Sequence, residues 1–336
     1  MKKSSILKIL GVVALLIIGF LIYRDYQFNT VSTDPFSMYI AMDKSYNDVS
    51  VVGDVLYYRD KQTLYGIKKK EDTNEVIFSK ELEAGIKTII YDKYIYVVSP
   101  NSVELLNRKN GKTNRVIENL DSLTFAEKHG DNIIGYADKS AYIWSLDLKN
   151  EKKLSFDQTP AKVRKEGNLY SVILVNSDAG IIKSRYQVFE NDKMIYDISS
   201  VDEVFLYSDF IGANKHIVAT NRYIYLFEMN VLVKKTLVKN PIAFDSQNGM
   251  IAVLDYKSLK VYNSDLALQD NLNINFEVDK IKFRENSITI IGDRNVGVYE
   301  NKNLLEMPIG EYQGIAINDF GTYIIFENRV EKVKSY

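Results

Sequence analysis

Side chains able to carry out chemistry are few in this chain of 336 residues, and their spacing argues against most reactions. Cysteine is absent, so there is no thiolate nucleophile, no thiolate metal site and no disulfide framework. The same absence removes a lipobox and with it a lipoprotein anchor. Only two histidines occur, His129 and His216. His129 falls in the turn-like stretch Lys128-His129-Gly130-Asp131, and His216 reads as the start of a strand. Both are positions where an imidazole is ordinarily solvated, so a shared metal site is not expected of them. No H-E-x-x-H, G-x-S-x-G or P-loop pattern occurs.

Carboxylates are the remaining candidates. Asp54, Asp131, Asp245, Asp255 and Asp319 all recur near expected inner or second strands. A ring of such groups at one mouth of a closed fold could take calcium and support a hydrolase or lyase. The competing reading is simpler: an Asp in a turn accepts hydrogen bonds from nearby backbone amides. The sequence therefore assigns no catalytic, cofactor-binding or metal-ligating residue and implies no cofactor. Tyrosine is the other excess, with 24 copies. Tyr57, Tyr65, Tyr94, Tyr96, Tyr142, Tyr223, Tyr225, Tyr256, Tyr262 and Tyr299 fall in or near strand-like runs. Most are expected to pack one sheet on the next with their hydroxyls reaching a surface. Some could line a face for protein or glycan contact.

The elements that must position these residues are strands. Fifteen Phe, the Tyr and frequent Ile and Val suit a pleated, half-buried surface. Turn-then-strand signals recur at Gly53-Asp54, Asp92-Lys93, Gly130-Asp131, Glu166-Gly167, Ala213-Asn214, Gln247-Asn248, Glu285-Asn286 and Asp319-Phe320, spaced 34 to 47 residues apart. Repeats near that length with about four strands each point to an all-β propeller. Inner strands are expected at 48–52, 86–91, 123–127, 161–165, 203–208, 242–245, 279–283 and 314–318, which makes eight blades. The long 166–213 interval leaves seven as the alternative. One unit reads in full: strands 86–91, 94–98, 103–107 and 112–117, with Asn110-Gly111 expected as a primed hairpin turn. The last repeat holds three strands, and Phe36–Met42 stands alone upstream, so it is expected to close the ring as the missing outer strand.

Leu105-Leu-Asn-Arg-Lys-Asn-Gly-Lys112 and Leu64-Tyr-Gly-Ile-Lys-Lys-Lys-Glu71 resemble the repeat of the quinoprotein-like (PQQ-like) propellers, a strand, a polar turn ending in Gly-Lys, and another strand. The resemblance covers roughly residues 45–336 and implies the propeller fold. It does not imply the cofactor, because quinoprotein dehydrogenases use a Trp floor and an adjacent Cys pair. This chain has one Trp, Trp144, in an expected third strand, and no Cys. The whole layout is similar to single-pass membrane-anchored propeller proteins of Firmicutes. Among relatives of the fold, the outer-membrane assembly scaffold of Gram-negative bacteria is the functional model it suggests.

Placement is read from the N-terminus. Ile6 to Tyr23 is apolar apart from Lys8, and eighteen residues at about 1.5 Å each span roughly 27 Å, enough for a bilayer core. Lys2, Lys3 and Lys8 precede or open the run, which puts residues 1–5 in the cytoplasm and the rest outside. Bulky residues stand where a signal-peptidase site needs small ones, so an uncleaved signal-anchor is expected over a cleaved signal. Residues 24–35 are a linker of at most about 40 Å, followed by the propeller over 36–336. Beyond residue 35 the chain carries 39 basic and 42 acidic residues, which gives no electrostatic hold on nucleic acid. The expectation is a non-enzymatic, membrane-tethered extracytoplasmic scaffold at the cell membrane, working with other envelope or membrane proteins. The alternatives are a ligand or cell-wall glycan binder and a calcium-dependent hydrolase or lyase.

Overall fold

The computed structural model describes residues 36–41, 47–69, 74–200, 202–212, 214–255, 257–284, 287–318 and 321–333. The expected span at 6–23 lies outside them. Among the described residues there is no helix long and apolar enough to cross a membrane. They form 32 strands, numbered β1–β32 in chain order and grouped into eight four-stranded antiparallel sheets. The chain is an eight-bladed propeller, and seven blades is set aside. The long interval that left seven open is filled by a hairpin of two ten-residue strands in blade 4, β15 (Leu169–Asp178) and β16 (Ile181–Glu190).

The inner strands of blades 1 to 8 are β2 (Asn47–Val52), β6 (Thr88–Tyr91), β10 (Phe125–His129), β14 (Thr159–Glu166), β18 (Phe205–Gly212), β22 (Pro241–Gln247), β26 (Lys280–Arg284) and β30 (Gly314–Asn318). Each falls on its expected run, and β18 extends four residues further than read. Blade 8 is closed as expected by β1 (Phe36–Ala41), which pairs antiparallel with β32 (Arg329–Val333) from Phe36↔Val333 to Ala41↔Arg329. That sheet thereby pairs the first described strand of the propeller with the last, which joins the two without a covalent bond.

The core is divided. Each of eight apolar clusters lies between two neighbouring blades. Tyr96 and Leu105 of blade 2 meet Ile133 and Trp144 of blade 3, and Val51 and Leu56 of blade 1 meet Tyr323 and Val330 of blade 8. This follows from strand alternation, since side chains leave both faces of a sheet and each face is covered by the next blade. Trp144 is fully buried in its slab, stacked on Tyr142 at 5.3 Å, and Gly135 leaves the room for its ring.

One turn differs from its expected form. Asn110-Gly111 is not a two-residue primed turn, because only Gly111 (φ 64°) has positive φ. The loop spans 107–112 and is held by Gly111 N–H donating to Asn107 O at 2.8 Å, with the Asn107 side chain accepting from Lys109 N. A type I turn followed by a left-handed Gly satisfies more backbone here than a tight hairpin would. The primed geometry appears instead at Asn248-Gly249, where both φ angles are positive, between β22 and β23 (Met250–Asp255).

Candidate functional site: the central channel

All eight inner strands contribute to a central chamber of about 990 Å³. Its wall is built from repeated positions. Glu127, Arg164, Asp209, Asp245 and Lys282 each pair with the third residue of the strand that follows: Ile134, Ser171, Ile217, Ala252 and Thr289. They therefore stand at one height on five consecutive blades, with signs −, +, −, −, +. Blades 8 and 1 contribute Ile317 and Val52 to the chamber and no charge.

Glu127 is the most strongly held of these groups. It accepts from Arg164 Nη1 and Lys162 Nζ of the next blade, both at 2.9 Å, and from Tyr136 OH at 2.7 Å. Tyr136 OH in turn accepts from Val163 N at 3.0 Å, so the same cluster pins blade 3 to blade 4. Burial by itself pushes Glu127 up, but Arg164, Lys162 and the Tyr136 hydrogen bond outweigh it and bring the carboxyl down to about 2. Burial and the neighbouring Arg164 hold Lys162 below the ordinary lysine range against the pull of Glu127.

Asp209 is a second hub. It accepts from Ser246 Oγ at 2.5 Å, Tyr207 OH at 3.1 Å and its neighbour Phe210 N at 2.9 Å, and pairs with His129 Nε2 at 3.1 Å. Burial raises this carboxyl, yet the His129 contact, Ser246 and Arg164 hold it below the usual range. His129 belongs to blade 3 and Asp209 to blade 5, so their bond links two blades that are not neighbours. Asp245 accepts from Phe283 N at 2.7 Å and faces Lys282 Nζ at 3.5 Å, tying blade 6 to blade 7. Lys128 and Asp92 do the same for blades 3 and 2 at 3.1 Å.

Two sequence readings, of His129 and His216, are corrected here. His129 is the last residue of an inner strand and turns into the chamber, because ring closure brings Asp209 within reach. His216 is 3% exposed, with its ring stacked on Phe227 at 4.9 Å and close to Tyr186 and Phe210. Burial brings its pKa down to about 4. Asp245 sits in the inner strand expected at 242–245 and is 8% exposed. The other carboxylates behave as turn or edge groups: Asp54 is exposed and paired with Lys68 at 3.0 Å, Asp131 is exposed, and Asp255 holds Lys260 at 2.7 Å. Asp319 and Tyr256 lie outside the described residues.

The tyrosines pack as expected. Tyr96 OH reaches Leu146 O of the next blade at 2.7 Å, Tyr57 stacks on Tyr91 at 5.5 Å, and Tyr299 OH reaches Asp270 at 3.1 Å. Sequence reading missed Glu127, Arg164 and Asp209. A signal was present: the same position before the turn is charged in five successive repeats.

The chemistry open to this wall is limited. The carboxylates of the charged level are each matched by a cation or a backbone amide. Among the described residues no three His, Asp or Glu side chains come together as a metal-binding set. The comparisons address the fold alone. No protein-family profile and no curated protein matches the chain. Solved propellers do. BamB from Moraxella catarrhalis aligns over 88% of this chain and 99% of its own, with a TM-score of 0.56 and 10% identity. Saccharomyces cerevisiae Sqt1 covers 89% and 98%, with a TM-score of 0.60 and 8% identity. The Neurospora crassa Pan2 WD40 domain covers 75% and 90%, with a TM-score of 0.52 and 10% identity. The neighbours are WD40 and BamB-type propellers.

Proposed function

We propose that this protein is a non-enzymatic interaction scaffold, tethered to the cell membrane through residues 6–23 and presenting its propeller outside the cytoplasm. The observation that carries the scaffold reading is the outer edge of blade 5. Its strand β21 (Val231–Leu237) ends its sheet, and exposes Val231, Leu232, Val233 and Leu237. The outer strands of blades 1, 2, 4, 6 and 7 expose one large apolar side chain each, and that of blade 3 none. Proteins usually guard such edges with lysine. Here both lysines of β21 turn back onto the propeller: Lys234 donates to Asp265 O and Leu266 O, and Lys235 lies 3.5 Å over the Tyr223 ring. An unguarded apolar edge with a free ladder of N–H and C=O groups is suited to an extended, apolar segment of another protein. The short linker and the apolar run at 6–23 support the membrane tether.

The test is in-cell photocrosslinking from position 232 of the full chain, with mass spectrometry of the product. The reading expects one defined envelope protein, captured from residue 232 and lost in the Val231→Lys/Val233→Lys variant. It also expects the capture to fail when residues 1–35 are removed and the propeller is secreted free. Capture of no specific protein, or capture undiminished by the two lysines, would overturn the edge as the docking surface. Capture that survives removal of residues 1–35 would overturn the role of the tether.

A further inference from the structure

We infer that the turn Met229-Asn230, with Val231 beside it, dips into the lipid headgroup layer and holds one face of the propeller, the face where the inner strands finish, against the membrane. This rests on the tether proposed above and adds a second, non-covalent hold at a different blade. The rest of β21 stays available to the docking segment.

Strand pairing fixes the end of the disc at which this turn lies. In blade 5, Gly212 at the finish of β18 pairs with Lys215, Lys215 with Glu228, and Glu228 with Val231. The Met229-Asn230 turn is therefore at the finishing face. In blade 8, Asn318 at the finish of β30 pairs with Gly321, Tyr323 with Lys332, and Val333 with Phe36. Phe36, the residue that follows the linker, is thus at the same face, on the outer strand of its blade. A twelve-residue linker reaches at most about 40 Å, so a tether at residues 6–23 keeps this face near the bilayer. Blade 5 lies three blades round the ring from blade 8, and the tether and the turn grip the rim at two separated points.

The composition of the turn supplies the second part of the case. Three blades close their outer hairpin at this face with the same two-residue turn, both residues at positive φ: Asn191-Asp192 in blade 4, Met229-Asn230 in blade 5 and Asn301-Lys302 in blade 7. Asn and Asp suit that left-handed backbone because their short polar side chains bond locally. Methionine has no such compensation, and a φ of 46° is a strained place for it. The residue after the turn follows the same contrast, Lys193 and Asn303 in the polar turns against Val231 here. Met229 and Val231 are 71% and 64% exposed, the highest values for large apolar side chains among the described residues. Single exposed apolar side chains are ordinary, but a strained turn with an apolar tip, where its equivalents are polar, calls for apolar surroundings. A bilayer offers them, since apolar side chains of interfacial segments sit about 5–10 Å into the boundary between headgroups and acyl chains. The charges at the rim suit the same surface. Lys109, Lys193 and Lys302 are exposed at or beside the outer turns of blades 2, 4 and 7 on this face, where lipid phosphates can meet them. The carboxylates described at these outer turns, Asp147, Asp192 and Asp265, are each matched by a lysine.

The chain has no cysteine, so a single Asn230→Cys site can carry an environment-sensitive dye while Met229 and Val231 stay in place. The full chain labelled there is reconstituted into vesicles of equal parts phosphatidylcholine and phosphatidylglycerol, and quenching by lipids spin-labelled near the headgroup is measured. The control site is Ile182→Cys, also exposed but at the opposite face: Ile182 pairs with Ser177, two residues beyond the partner of Thr159 at the start of β14. The inference expects blue-shifted emission and strong quenching at 230 and neither at 182. Both should be lost from 230 in the Met229→Asp/Val231→Asp variant, which changes two exposed positions. A dye at 230 no better quenched than at 182, or quenching undiminished by the two aspartates, would overturn the inference while flotation of the protein with the vesicles leaves the tether standing. Failure of the full chain to float with the vesicles would overturn the tether and this inference with it.

Discussion

The two arcs of the channel wall are built on opposite principles. From blade 3 to blade 7 the inner strands meet through charges: Glu127 with Arg164 and Lys162, Asp209 with His129, Asp245 with Lys282. At blades 8 and 1 they meet through apolar packing, with Val51, Val52, Ala316 and Ile317 and no ion pair across the channel among the described residues. The backbone is the same in both arcs, four antiparallel strands repeated around one axis. The ring is closed on the apolar arc, where β1 pairs with β32. Buried ion pairs are poor stabilisers relative to apolar packing, yet breaking one is severe. The charged arc should therefore be the more easily damaged of the two.

The largest expected effect is Glu127→Ala. It leaves Arg164 buried beside Lys162 with no carboxylate, at a cost of about 3–5 kcal/mol. Urea unfolding followed by the fluorescence of Trp144, the sole Trp and fully buried in blade 3, measures it. A loss under 1 kcal/mol would mean that the charged arc is as tolerant as the apolar one.

Acid titration separates the chamber from the layer behind it. His216, packed behind the inner strand of blade 5, has its pKa lowered from 6.5 to about 4. A lowered histidine pKa favours the neutral form in the fold. Its contribution is complete above pH 6.5 and is lost as pH falls toward 4, in all about 3 kcal/mol. Glu127, lowered from 4.5 to about 2, contributes above pH 4.5 and loses a similar amount as pH falls toward 2. His216→Phe should abolish the first loss and leave the second, and stability measured against pH in both proteins decides it.

On the apolar arc, Val51→Ala opens a gap against Tyr58 and Tyr323 and should cost about 2 kcal/mol, with no dependence on salt. A salt-dependent loss would contradict the contrast drawn between the arcs. The smallest effect belongs to Lys282→Ala. Its side chain is 57% exposed, so removing its pair with Asp245 should cost less than about 1 kcal/mol and less still at high salt.

Much of this architecture is legible in the chain. The turn at Gly130-Asp131, the strand Ile-Tyr-Val-Val before Ser99 and the lone strand at Phe36 are local patterns, and each falls where it was expected. The eight-blade count needed one non-local fact, that blade 4 uses ten-residue strands and thereby lengthens its repeat without adding a blade. The chamber was hidden for a stronger reason. Glu127 and Arg164 are 37 residues apart, and Asp209 lies 45 further on. Each reads alone as a charge at a solvated strand position, as His129 reads alone as a turn residue.

The sequence by itself therefore determined the strands, their turns and the closing partner for the last blade, because a period of two and the turn residues act over a few positions. It also determined what chemistry is missing, since no fold can supply a cysteine. Only the tertiary structure decided which charges meet, that His216 is buried among aromatic rings, and that β21 keeps its apolar edge while its lysines fold back. Those outcomes depend on the rotation from one blade to the next. That rotation is fixed by the packing of the eight slabs together and by no single repeat.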